Sequence, residues 1–339
     1  MDYKEGKAFG RLCTPLCDNG EISALSCEPM HKGKFSVFTA LWNDSQVMIK
    51  SHRIKSEYIP LQWIGSDSSE VFPNYQELVE MVTQSLQINF GISTNEKNVM
   101  ELLYPFLDDY KNYVDRELMI NLWQLSQDNE YVTLMVNQHS NLFPKILGSC
   151  GTFYAVEYAK PISRLNIYSD RLDDFISRIR QARLTLQLLN DLETTFPDPV
   201  HICDVKLEHF GILNGRQVLL DADTVFPKVV VDRSVADGRK CWEHSDCDLF
   251  DCRSLCNKVL RVCDTPVVNN NLQLVCQKVF LDSGLLISRH LPQETHKLLQ
   301  ECADPYHSQG RQAAPVHSHS KLSNFFNEFL RMVDQPQKL

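Results

Sequence analysis

Three polar residues in one six-residue window, Asp204, Lys206 and His209, have side chains that their apolar neighbours do not explain. The window opens the stretch Val200–Asp223, VHICDVKLEHFGILNGRQVLLDAD. Leu213-Asn214-Gly215-Arg216 has the composition of a hairpin turn. An apolar strand follows, Gln217–Leu220, and then an acidic pair, Asp221 and Asp223. A loop Asp, a hairpin and a second Asp at a strand end can set a base and a metal ligand side by side. The central question is whether the rest of the chain equips these carboxylates to do chemistry.

The 339 residues suffice for two medium domains or one two-lobed unit with sizeable cores. Apolar residues make up 43% and charged residues 23%, which is the balance of a globular chain. The net charge is −9, and no Lys/Arg stripe occurs, which argues against a nucleic-acid partner.

Cysteine is the unusual component. Of the 12 cysteines, Cys13, Cys17 and Cys27 lie near the start, and Cys241, Cys247, Cys252, Cys256 and Cys263 fall within 23 residues. The cluster spacing C-x5-C-x4-C-x3-C-x6-C contains no C-x2-C pair, so a zinc ribbon is a poor match. A short polar loop of this kind cannot bury a core, and disulfides would hold it. That chemistry implies the secretory lumen or the cell exterior, whereas a cytosolic chain would keep its thiols reduced. MDYKEGKAFGRLC has no apolar signal region, and no run of 18 apolar residues occurs. A signal or anchor segment is therefore expected to lie upstream of this sequence.

The elements that must position the carboxylates follow from periodicity. FSVFTALW, an Asn43-Asp44 turn and VMIKSH read as a β-hairpin whose second strand carries Lys50. Pro73-Asn74-Tyr75-Gln76 opens a helix with Leu78, Val79, Val82 and Leu86 on one face and Glu77 near its start. Residues 96–135 read as helical in at least two pieces. The acidic run Asp108, Asp109, Asp115 and Glu117 fails the calcium-loop pattern and reads as a solvated loop and helix cap. Two strands, FPKILGSC and TFYAVEYAK, precede a boundary near residue 158. Leu172–Phe196 is a long amphipathic helix stopped by Pro197 and Pro199. Helices are predicted again near Leu272–Leu285, Gln293–Cys302 and Leu322–Val333. Ala303–Lys321, with His307, His317 and His319, is predicted to be a loop.

This order resembles a two-lobed protein kinase. More narrowly, GSCGTFYAVEY, CDVKLEHFGI with LLDADTVFPK, and CWEHSDCDLFDCRSLCN resemble the divergent protein kinase-domain family of cysteine-rich, endoplasmic-reticulum lumenal proteins. The resemblance implies an α+β, two-lobed protein-kinase-like fold with a cysteine-rich insertion in the C-lobe. Residues 1–30 would be a cysteine-containing leader. Residues 31–158 would form a β-rich N-lobe with a helical insert at about 96–135. Residues 159–339 would form a mostly helical C-lobe with the cysteine-rich loop at 241–263.

Carried over residue by residue, the resemblance makes Lys50 the strand lysine that positions nucleotide phosphates and Glu77 its helix partner. Val156, Glu157 and Tyr158 would lie in the hinge that contacts adenine. Asp204 would be the base, Lys206 the loop lysine that steadies the transferred group, and Asp221 the metal ligand. ATP with Mg²⁺ or Mn²⁺ would be the cofactor set, and a lumenal or secreted protein or glycan the substrate. Membrane attachment would require an anchor absent from this sequence. Two features depart from the family pattern. His209 stands where a second metal-binding Asn is expected, with Asp223 as a compensating ligand. No Gly-rich loop precedes Lys50, where Gly33 is the only nearby glycine. The implied functions are phosphotransfer or, alternatively, a pseudokinase acting as a nucleotide-binding or protein-interaction module.

Overall fold

The computed structural model describes residues 2–27, 36–51, 58–65, 69–106, 114–162 and 169–334. Gly33, Asp108 and Asp109 lie outside the described residues. The chain divides into two compact units, Met1–Ala159 and Lys160–Leu339.

The first unit contains α1 (Cys13–Cys17), β1 (Ile22–Cys27), β2 (Ser36–Trp42), β3 (Ser45–Ser51), β4 (Trp63–Ile64), β5 (Glu70–Val71), α2 (Tyr75–Phe90), α3 (Glu96–Leu103), α4 (Arg116–Ser126), α5 (Asn129–Val136), β6 (Ile146–Cys150) and β7 (Phe153–Glu157). Five strands form an antiparallel sheet in the order β1-β2-β3-β7-β6. Asn43 and Asp44 both take positive φ in the two-residue turn between β2 and β3, as the strand twist requires of such a turn. One face of the sheet buries Ile22, Ala40, Val47, Ile49 and Ala155 around the Cys13–Cys150 disulfide. Residues 22–27, expected in the leader, form the edge strand. Gly10 lets the entering chain cross β6: a Cβ there would stand 2.0 Å from the Ser149 carbonyl oxygen.

Helices α2 to α5 start on side-chain caps. Asn74, Asn95, Asp115 and Asp128 each accept a backbone N–H from their first turn. Asp115 is thus a cap, as its surroundings in the sequence suggest.

The second unit contains β8 (Lys160–Pro161), α6 (Leu172–Thr194), β9 (Val200–Ile202), β10 (Phe210–Leu213), β11 (Arg216–Leu219), β12 (Val225–Pro227), α7 (Lys228–Val235), β13 (Cys256–Asn257), β14 (Val262–Cys263), α8 (Asn271–Leu274), α9 (Gln293–Ala303) and α10 (Val316–Asp334). α8 continues as a wider turn through Val275–Asp282. Its core comes from α6, whose Phe175, Ile179, Ala182, Leu186 and Leu189 are buried, and from Phe280, Leu322 and Phe326. α10 starts six residues before the predicted helix, so His317 and His319 are helical and not in a loop. Three small antiparallel pairings, β10–β11, β9–β12 and β13–β14, carry the chemistry-bearing stretches.

Five disulfides join ten of the cysteines: Cys13–Cys150, Cys203–Cys252, Cys241–Cys256, Cys247–Cys263 and Cys276–Cys302. All five cysteines of the 241–263 cluster are bonded, and Cys252 reaches outside it to Cys203. Among the described residues, no helix is long and apolar enough to cross a membrane.

Candidate active site

Alternation along β3 puts Val47, Ile49 and Ser51 on one face and Met48 and Lys50 on the other. Lys50 therefore leaves the apolar core and turns toward the helices. Its Nζ lies 2.7 Å from Oε1 of Glu130, and the Lys50 and Glu130 side chains are 8% and 0% exposed. Tyr154, paired with Lys50 across β3 and β7, donates its hydroxyl to Oε2 of Glu130 at 2.8 Å. Both carboxylate oxygens are thus used, which is what a buried charge requires. Glu130 sits in the first turn of α5, where the helix dipole favours an anion.

Glu77 does not partner Lys50. It occupies the third position of α2 and closes a capping box with Asn74: its carboxylate accepts the Asn74 N–H at 2.7 Å, and the Asn74 side chain accepts the Glu77 N–H at 3.0 Å. The carboxylate that holds Lys50 comes from α5, the fifth helix of the unit. The available signal was Asp128, an N-cap two residues ahead of Glu130, opening an apolar helix. Val156 is buried in β7, and Glu157 ends that strand with its carboxylate on the backbone N–H of Lys145 at 2.9 Å. Tyr158 follows, half-buried, just before the division between the units.

In the second unit, β9 runs into the loop that carries Asp204. Two devices fix that loop. Cys203 is bonded to Cys252 and donates its N–H to the Thr224 carbonyl at 2.8 Å. Asp251 bridges both sides of Asp204: its N–H donates to the Cys203 carbonyl at 2.7 Å, and its Oδ2 accepts the Val205 N–H at 2.8 Å. Lys278 neutralises Asp251 at 2.5 Å. Cys252 stands out in the sequence as a disulfide candidate, whereas nothing in the local pattern marks Asp251 as the brace of this loop.

Asp204 stays partly exposed, with Lys206 Nζ 2.5 Å from its Oδ2. His209 is set between the two aspartates of the stretch. Its Nδ1 is 3.0 Å from the Asp204 carbonyl, which can only accept, so Nδ1 carries the proton. Its Nε2 then faces Asp221 Oδ2 at 3.5 Å. The β10–β11 hairpin brings them together through Asn214 and Gly215, both at positive φ. Leu220 N–H donates to the His209 carbonyl at 2.8 Å, which sets Asp221 beside the ring. Asp221 Oδ1 accepts the Asp223 N–H at 3.3 Å, so the two acidic residues share one turn. On β9 itself His201 is buried. Burial and the nearby Lys228 charge push its imidazole down to about 4.

The donors around Asp221 fit a divalent cation. A carboxylate and an imidazole nitrogen whose other nitrogen is held by a carbonyl are a normal ligand set with an orienting partner. The imidazole makes that set softer than an all-oxygen one, which suits Mn²⁺ better than Mg²⁺. Asp221 and Asp223, whose carboxylate oxygens lie within 4.8 Å of one another, would hold the ion together with His209.

Residues 122–305 match a profile described as the protein-kinase domain of FAM69. Residues 1–105 match one described as the N-terminal cysteine-rich endoplasmic-reticulum region of FAM69. A solved structure, the complex of Rv3197 with erythromycin from Mycobacterium tuberculosis, is similar at 15% identity and a TM-score of 0.29. That similarity covers 61% of this chain and 47% of the solved one, so the chain spans about half of that protein's length, and no argument rests on it. The two profiles cover both units, and the five disulfides are of the kind an oxidising lumen sustains. The chain belongs to the FAM69 family: a cysteine-rich, endoplasmic-reticulum-type protein with a divergent kinase domain.

Proposed function

We propose that this protein is an ATP-dependent phosphotransferase of the secretory pathway, acting on a hydroxyl of a lumenal or secreted protein or glycan. The observation that carries this reading is the buried Lys50–Glu130 pair, braced by Tyr154. Burying an ion pair is a poor route to stability, because desolvation offsets most of the Coulomb gain. A lysine held rigid in this way is instead suited to fix phosphate oxygens.

The C-terminal unit supplies the reacting groups. Asp204 accepts the proton of the attacking hydroxyl as its oxygen bonds to the γ-phosphorus and the bond to ADP breaks. Lys206, beside Asp204, balances charge on the transferred group. A divalent cation bound by Asp221 and His209 would neutralise the phosphates. Asp251 and the Cys203–Cys252 bond keep Asp204 in place, so little reorganisation is needed.

A second reading, a nucleotide-binding pseudokinase, is favoured by one contact. His209 leans on Asp221 at 3.5 Å, and a protonated ring would satisfy that carboxylate without any metal. Thermal-shift titration with ATP and Mn²⁺ or Mg²⁺, beside a phosphate-transfer assay on secretory-pathway proteins, separates the two. Stabilisation lost in both Lys50→Ala and Asp221→Ala, with transfer lost in Asp204→Ala, supports the enzyme. Stabilisation without transfer supports the pseudokinase, and neither effect rejects both readings.

A further inference from the structure

The Cys241–Cys256 and Cys247–Cys263 bonds form a knot whose buried apolar cluster is the four half-cystines themselves. The knot leaves apolar side chains outside. Trp242 is 68% exposed, Val259 88% and Leu260 66%. Val259 and Leu260 form the tip of the β13–β14 hairpin, flanked by Lys258 and Arg261.

The tip is rigid. Asn257 Oδ1 accepts the N–H groups of Val259 and Leu260, each at 3.1 Å, and the Arg261 N–H donates to the Asn257 carbonyl at 2.7 Å. Trp242 is tied to the same tip. Lys258 Nζ donates to the Trp242 carbonyl at 2.5 Å, and the Arg261 guanidinium stands 4.7 Å from the centre of the indole ring. Apolar side chains held in a fixed frame are displayed at low entropic cost for binding.

Charge is segregated as well. The chain carries −9, yet the tip carries Lys258, Arg261 and, on the segment bridged to Val262, Lys240. The acids of the knot are engaged by hydrogen bonds or ion pairs. Asp246 accepts the Trp242 and Glu243 N–H groups at 2.7 and 2.9 Å, and Glu243 closes the same capping box. Asp248 is held by Arg311, Asp237 by Arg239, and Asp264 by the Asn257 amide.

We propose that this tip docks on an anionic lipid surface. Val259 and Leu260 enter the boundary between headgroups and acyl chains, Trp242 lies at headgroup level, and Lys240, Lys258 and Arg261 meet lipid phosphates. A protein partner fits less well. Three side chains on a hairpin tip fall far short of the roughly 800 Å² per partner of a stable protein interface. A bilayer needs no matching pocket.

The test uses the full chain with its disulfides formed, and phosphatidylcholine vesicles with and without phosphatidylserine. The expected result is co-sedimentation with the phosphatidylserine vesicles, weakened by salt, with a blue-shifted tryptophan emission that Trp242→Phe abolishes. Val259→Ser with Leu260→Ser lowers partitioning about tenfold or more. Val316→Ser, at a 97% exposed residue on α10, leaves it unchanged. Thiol titration and thermal melting confirm that each variant folds. Absence of vesicle binding overturns the proposal. So does binding that ignores phosphatidylserine or survives the double substitution. Tip-dependent self-association or capture of a protein, without lipid binding, overturns it in favour of a protein interface.

Discussion

The carboxylate of Asp251 accepts the backbone N–H of Val205 at 2.8 Å, so a residue of the cysteine-rich insertion holds the peptide that follows Asp204. The residue before Asp204 is held from the same side, by the Cys203–Cys252 bond. The insertion is thus part of the loop that carries the proposed base.

Removing that bond in Cys203→Ser/Cys252→Ser is expected to lower stability. With a sequence separation of 49 between the partners, loop-closure entropy predicts about 4 kcal/mol. Chemical denaturation measures it. A loss near zero would show that Asp251 and Lys278 hold the loop without the sulfur bridge.

Glu130 and Glu77 give opposite results when substituted. Glu130→Gln removes the carboxylate that holds the buried Lys50, at about 3 kcal/mol, and removes ATP-dependent stabilisation. Glu77→Gln keeps a residue that can close the capping box, and should change stability by about 0.5 kcal/mol or less. Equal effects would contradict the assignment of Glu130 as the partner of Lys50.

His209→Asn replaces an imidazole donor with an amide oxygen. The nucleotide-dependent thermal shift should then favour Mg²⁺ over Mn²⁺ more than in the wild type, by about tenfold in the ratio of metal concentrations required. An unchanged ratio would mean that His209 holds no metal.

His201 makes stability depend on pH. Its imidazole lies near 4 when folded, against 6.5 when free. The unfolded chain binds the extra proton within that window, so the contribution is present above pH 6.5 and is lost as pH falls toward 4. The shift corresponds to about 3 kcal/mol. Denaturation at a series of pH values should show this slope, and His201→Gln should flatten it. An equal slope in the variant would assign the acid sensitivity to other groups.

Local pattern points to Glu77 as the partner of Lys50, whereas the fold supplies Glu130. Periodicity identifies helices, but it does not say which of four returns to the sheet. α2 follows β3 first and offers a glutamate, and that glutamate is consumed by its own cap. α5 arrives three helices later and packs its first turn beneath β3 and β7, a long-range contact invisible in local pattern. Likewise, the spacing of the five clustered cysteines implied crosslinks but not that Cys252 would leave the cluster for Cys203. Pairing depends on which Cβ atoms the fold brings within reach.

By itself the sequence determined the hairpins, because Asn43-Asp44 and Asn214-Gly215 tolerate the left-handed backbone that two-residue turns require. It also determined the long helix α6, through its apolar stripe, and the grouping of Asp204, His209 and Asp221 across one hairpin. Tertiary structure alone decided which carboxylate holds Lys50, which cysteine clamps the Asp204 loop, and that Asp251 is its brace. Local conformation is set by neighbours a few residues apart, which a sequence displays. The partner of a buried charge or a sulfur is set by packing between distant segments.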